Sequence, residues 1–140
     1  MMELVPYLAF NGECREAFDF YRDALRGEIA MRMTYGESPM HGEMPADVHD
    51  RIMHVQLVAD GASLMGGDAP PGHAVGAAST CVSVNIDSPG EAERIFKALS
   101  AGGRVDMPIG ETFWARRFGM LTDRYGKPWM VNCGAQRSTP

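Results

Sequence analysis

Leu8-Ala9-Phe10-Asn11 is an apolar strand end that closes on a turn residue, and a helical stretch follows it from Cys14 to Leu25. Val84-Asn85-Ile86-Asp87 repeats that statement, with a second helical stretch from Pro89 to Ala101. In the strands the two copies lie 76 positions apart, pairing Leu8 with Val84, Phe10 with Ile86 and Asn11 with Asp87. In the helices the offset is 75, pairing Ala17 with Ala92, Phe20 with Ile95, Tyr21 with Phe96 and Ala24 with Leu99. The slip of one residue falls in the turn, where an insertion is tolerated best. A period of half the chain implies two copies of one module with a pocket shared between them.

Working outward, each copy extends in the same order. Strand one runs from about Leu4 to Phe10, and Ala17, Phe18, Phe20, Tyr21, Ala24 and Leu25 make one apolar stripe on the helix after it. Gly27 suits a left-handed helix C-cap. Ile29, Met31, Met33 and Tyr35 alternate as one face of a half-buried strand. Residues 36–50 lose periodicity and read as a mobile loop. Ile52 to Ala59, the turn Asp60-Gly61 and the return strand from Ala62 form a hairpin. The second copy has strand Thr80 to Ile86, its helix, strand Arg104 to Ile109, a strand around Phe113 to Thr122, and strand Trp129 to Cys133. The expected fold is α+β: two βαβββ modules, at about 1–68 and 79–135 with a linker at about 69–78. Together they form a curved mixed sheet with a concave cleft in a single domain of 140 residues.

Composition bounds the function. Apolar content of 45% and charged content of 22% are those of an ordinary globular domain. A net charge of -5 argues against a nucleic-acid partner, which needs a clustered basic face. No apolar run approaches the ~18 residues of a membrane-spanning helix, and no signal peptide is visible. Three widely spaced cysteines, Cys14, Cys81 and Cys133, read as reduced thiols, so the expected location is cytoplasmic.

Side chains alternate between the faces of a strand. Val82, Val84 and Ile86, with Met53, Val55 and Leu57, and with Trp129 and Val131, belong under the helices. Tyr7, His54, Gln56, Cys81, Ser83, Asn85 and Asn132 then share the other face and are candidate ligand contacts. The plain alternative is a solvated polar face, as on many antiparallel sheets. Trp114 and Arg116, in the cluster Phe113 to Phe118, would stand at the rim and suit a planar or anionic ligand. Their plain alternative is a dimer seam or an edge strand. For His54 the choice is a pocket wall or acid/base group against a hydrogen-bonded strand histidine. Cys81 has no identifiable base beside it, so a buried inert thiol outweighs a nucleophile. His41 and His49 read as solvated loop residues. The methionines from Met31 to Met53 read as core and loop filler.

Val5-Pro6-Tyr7-Leu8-Ala9-Phe10, Glu16-Ala17 and Phe20-Tyr21 resemble the opening of PhnB-like proteins. Leu64 to Asp68, Glu111 to Trp114 and Asp123 to Trp129 extend the resemblance over nearly the whole chain. PhnB-like proteins belong to the vicinal oxygen chelate superfamily, with glyoxalase I, bleomycin-resistance proteins and ring-cleaving dioxygenases. The resemblance implies paired βαβββ modules, a glyoxalase/bleomycin-resistance-like concave sheet and a homodimer. The superfamily's metal enzymes carry His or Glu at four inner-face positions. Carried over, these fall on Val5, on Leu64 or Met65, on Cys81 and on Met130, none of which is a carboxylate or imidazole. The expectation is therefore no divalent metal and no cofactor. Two functions remain open: a non-metal protein binding a small organic ligand, or a small-metabolite enzyme of lyase, isomerase or transferase type. The resemblance also brings a quinone-precursor methyltransferase label, which no glycine-rich cofactor turn in the chain supports.

Overall fold

The computed structural model describes residues 5–72, 81–112 and 115–135. Leu4, Thr80, Phe113 and Trp114, which the sequence reading uses, lie outside them. The chain divides into two compact units, Met1–Gly76 and Ala77–Pro140.

The first unit runs β1 (Tyr7–Phe10), α1 (Cys14–Leu25), β2 (Glu28–Thr34), β3 (Ile52–Ala59) and β4 (Ala62–Asp68). Its sheet has the order β1-β4-β3-β2, with β1 parallel to β4 and the other pairs antiparallel. The second unit runs β5 (Val82–Ile86), α2 (Pro89–Ser100), β6 (Arg104–Gly110), β7 (Ala115–Thr122) and β8 (Pro128–Ala135). Its order, β5-β8-β7-β6, is the same with one parallel pair, β5 and β8. The duplication legible in the sequence is thus a duplication of topology.

In each unit the helix covers one sheet face. Cys14, Ala17, Phe18, Tyr21 and Ala24 of α1 are buried, as are Ala92, Ile95, Phe96 and Leu99 of α2. Helix and sheet approach closely because a glycine stands beneath an aromatic ring. A Cβ at Gly66 would lie 2.5 Å from Phe18, and one at Gly119 would lie 2.6 Å from Phe96. The helices begin differently. Ser88 caps α2 by accepting from the Glu91 N–H, with Pro89 in the first turn. Glu13 gives α1 no side-chain cap. The buried Asp68 supplies one instead: its Oδ1 accepts from Gly12 N–H at 2.7 Å and Cys14 N–H at 3.1 Å.

Three expectations need correction. Ile29 and Met31 do not share a face. Ile29 pairs with Leu57 and Met31 with Gln56, so a bulge at Ala30 turns Met31 away from the helix side. The left-handed residue after α1 is Arg26, φ 53°, and not Gly27. Gly27 is required for another reason, because a Cβ there would lie 2.6 Å from the Val58 carbonyl. Residues 36–50 are not an unstructured loop. They form 3-10 turns at His41–Glu43 and Ala46–Val48, bury Ser38 and Val48, and tie back through Gly36 N–H to the His49 carbonyl. His49 is accordingly half-buried, its Nε2 3.0 Å from the His41 carbonyl oxygen and 3.1 Å from that of Met44.

Gly66→Ala is expected to lower stability by about 1–3 kcal/mol through overpacking against Phe18 and the Leu8 carbonyl. Urea midpoints check this. Gly42→Ala, with no atom near the added methyl, should leave the midpoint unchanged.

Candidate functional site

Register decides which side chains share the faces opposite the helices. In the first unit Tyr7 pairs with Met65, Met65 with Gln56, and Gln56 with Met31, giving one cross-strand row. Met33 pairs with His54 one step along. Partners in register lie on the same side of a sheet. Gly66, Val55 and Leu57 lie on the helix side, so Tyr7, His54 and Gln56 share the open face as expected.

Tyr7 is 53% exposed yet held in place. Its ring stacks on His54 with centroids 5.8 Å apart, and its hydroxyl donates to the Met53 carbonyl at 3.3 Å. That path needs Gly67, where a Cβ would lie 2.7 Å from the tyrosine oxygen. Lost hydration raises the phenol's pKa, and Cys14, Tyr35 and Asp68 raise it further, so Tyr7 stays a neutral hydrogen-bonding group. Gln56 Nε2 donates to Ser63 Oγ at 3.2 Å. An aromatic plane, an imidazole and an amide are thus presented together, with methionines around them.

In the second unit Ser83 pairs with Met130, Met130 with Met120, and Met120 with Met107. Asn85 pairs with Asn132, and Asn132 with Phe118. Ser83 and Asn85 are exposed, and Asn132 Nδ2 donates to Asn85 Oδ1 at 3.2 Å. Gly119, Val131 and Val84 lie on the α2 side, so the expected division of faces holds here too. Arg116 is exposed on the open side and donates from Nη2 to the Asp87 carbonyl at 2.7 Å. It crosses Gly134, where a Cβ would lie 2.7 Å from Nη2. Arg117 takes the other face and pairs with Glu93 of α2 at 3.1 Å. Trp114 lies outside the described residues.

Cys81 is exposed, which corrects its reading as a buried thiol. Cys14 and Cys133 are the buried thiols, and at Cys14 burial, then the Asp68 carboxylate, push the pKa far above the usual thiol range. Leu64 is buried and pairs with Leu57, so the second superfamily ligand position falls to Met65 on the open face. Among the described residues no three His, Cys, Asp or Glu side chains stand close enough to hold a metal ion.

Sequence reasoning missed the open-face methionines Met31, Met107 and Met120, because strand bulges decide the faces of the first two. It also missed the buried carboxylates Asp68 and Asp123. Besides capping α1, Asp68 accepts from Ile52 N–H at 2.9 Å, and its carbonyl accepts from the Tyr35 hydroxyl at 2.7 Å. Asp123 accepts from the N–H groups of Tyr125 and Lys127 and from Trp129 Nε1 at 2.8 Å. Both sit in the stretches that carried the family resemblance, which was the available signal.

A family model described as 3-demethylubiquinone-9 3-methyltransferase matches residues 2–132. Protein YjdN of Escherichia coli (strain K12) is 32% identical over 146 residues, covering 99% of each chain. The crystal structure of PA1353 from Pseudomonas aeruginosa is 48% identical, covers 95% of this chain and 98% of its own, and superposes with a TM-score of 0.86. A PhnB protein of Bacillus cereus, 23% identical over 95% of this chain and 100% of its own, shares the fold with a TM-score of 0.74. The chain belongs to this PhnB-like family of the vicinal oxygen chelate superfamily.

The two faces should respond differently to truncation. Val131→Ala, at a fully buried position, is expected to cost about 1–3 kcal/mol, whereas Asn85→Ala should stay within about 0.5 kcal/mol. Denaturant titration of both variants checks this.

Proposed function

We propose that this PhnB-like chain is a small-molecule-binding protein that uses the open sheet faces of its units and needs no divalent metal at the superfamily's ligand positions. The carrying observation is the clamped Tyr7, stacked on His54 and hydrogen-bonded to the Met53 carbonyl across Gly67. Holding an exposed aromatic ring in one orientation lowers the ordering cost of binding a flat organic molecule against it. His54 and Gln56 then supply orienting hydrogen bonds. On the second unit Ser83, Asn85 and Asn132 supply polar contacts, with Arg116 beside them for an anionic group; Cys81 and Trp114 complete the proposed set. Val5, Met65, Cys81 and Met130 stand at the superfamily's ligand positions. They lack the carboxylates and imidazoles that hold a divalent ion open to substrate oxygens.

The competing reading is an enzyme acting on a small metabolite, including the methyl transfer in the family model's description. A nucleotide-type cofactor would use a glycine-rich turn and free N–H groups at a helix start. At α1 those groups, Gly12 N–H and Cys14 N–H, are occupied by Asp68. At α2 the Glu91 N–H is taken by Ser88. These arrangements favour the binding reading. We further propose a homodimer, on the ground that apolar residues outside the proposed ligand contacts, such as Met40 and Val105, are exposed, and a cytoplasmic location, where Cys81 stays reduced.

A thermal-shift screen of planar organic molecules, run with and without chelator, tests the function. Stabilisation that survives chelation and is lost in Tyr7→Ala is expected. Stabilisation that requires about one divalent ion per chain would overturn it. Light scattering at micromolar concentration should give twice the chain mass, and a monomer mass would refute the dimer.

A further inference from the structure

The same bulge occurs in both units. Val105 pairs with Leu121 and Met107 with Met120, so Asp106 is the extra residue of β6 as Ala30 is of β2. Asp106 is fixed there, accepting from Arg104 Nε at 2.6 Å and from the Thr122 hydroxyl at 2.7 Å. The bulge turns Met107 onto the open face, opposite Met120, which in turn stands opposite Met130. Three methionines therefore occupy one row on three neighbouring strands, spaced about 4.8 Å apart. Met107 is 37% exposed, and Met120 and Met130 are half-buried. β-Branched and aromatic residues are what strands ordinarily favour, so three unbranched thioethers in one row are a chemical feature and not a propensity effect. In the first unit the matching row is Met31, Gln56 and Met65, where an amide interrupts the sulfurs.

We propose that Met107, Met120 and Met130 form a thioether site for a soft monovalent metal ion, Cu(I). Thioethers select Cu(I) over hard or borderline divalent cations, which want oxygen or imidazole ligands. The long, unbranched side chains can converge three sulfurs on one ion above β7 without moving the backbone. Because a thioether binds no proton, the affinity is independent of pH, unlike that of a thiolate or imidazole site. The exposed thiol of Cys81 lies two residues ahead of Ser83, the row's neighbour on β5, and is the rival ligand that the test must separate.

The reduced protein is titrated anaerobically with Cu(I) supplied as its coloured bicinchoninate complex, so that transfer to the protein is read as loss of colour. Wild type should remove one Cu(I) per chain, with an apparent affinity flat between about pH 6 and 8. Met120→Leu, a near-isosteric swap that keeps the fold, should weaken binding by about tenfold or more, and Cys81→Ser should retain it. The converse result, loss in Cys81→Ser and retention in Met120→Leu, would overturn the proposal, as would no transfer to wild type. Folding-independent support comes from wild-type protein carrying 13C-methyl methionine and titrated with Ag(I). The methyl resonances of Met107, Met120 and Met130 should shift together, before those of Met31, Met33 and Met65. Uniform or absent shifts would refute the site.

Discussion

A single buried carboxylate organises the first unit. Asp68 stands at the end of β4, where its two oxygens meet N–H groups from the β1–α1 turn and from the start of β3. Its own carbonyl receives the Tyr35 hydroxyl from the far end of β2, and the next N–H, of Ala69, bonds to the Phe10 carbonyl. Four segments distant in sequence are thereby fixed at one point. A buried charge is tolerated only when its lone pairs are satisfied, and three main-chain donors do that here, with no salt bridge to Asp68 among the described residues. The arrangement also sets where α1 begins, because Glu13 supplies no cap of its own. Through α1 it sets how Phe18 lies over Gly66, and hence how closely helix and sheet approach.

The second unit solves the same problem by other means. In register, Phe10 faces Asp68 while Ile86 faces Cys133, so a buried thiol takes the place of the carboxylate. α2 has no need of a distant cap because Ser88 and Pro89 begin it locally. The buried carboxylate reappears as Asp123 in the β7–β8 turn, satisfying Tyr125, Lys127 and Trp129. One topology is thus held together by two distributions of polar groups. The equivalent positions on the open faces have diverged in parallel. Tyr7 corresponds to Ser83, His54 to Phe118, and Gln56 to Met120.

This division explains what the sequence could and could not disclose. Strand alternation placed Tyr7, His54 and Gln56 on one face and Val55 and Leu57 on the other, and the apolar stripe placed α1 within its observed bounds. Each is a local pattern with a fixed period. The bulges at Ala30 and Asp106 break that period, and nothing in a single chain marks Ala30 as an extra residue. Met31 was therefore put on the wrong face. Gly27 was read as a left-handed cap, its commonest role, whereas its real constraint is the distant Val58 carbonyl. Residues 36–50 lack periodicity because their order comes from 3-10 turns and main-chain bonds, which need no repeating apolar pattern.

The family resemblance rests on the same physics. Gly66, Gly67 and Asp68 serve a close helix approach, the path of Tyr7 and the helix cap. Asp123 and Trp129 serve a buried turn. Apart from Gly67, which also shapes the open face, these residues are buried and hold the frame. A chain can therefore declare its fold through them, while the ligand contacts we propose lie elsewhere, on the rows from Tyr7 to Met31 and from Ser83 to Met107. Among the described residues of those rows no buried polar side chain demands a partner, so substitution there is limited mainly by strand geometry. That freedom is what allows one duplicated scaffold to carry an imidazole beside an aromatic ring on one face and a line of thioethers on the other.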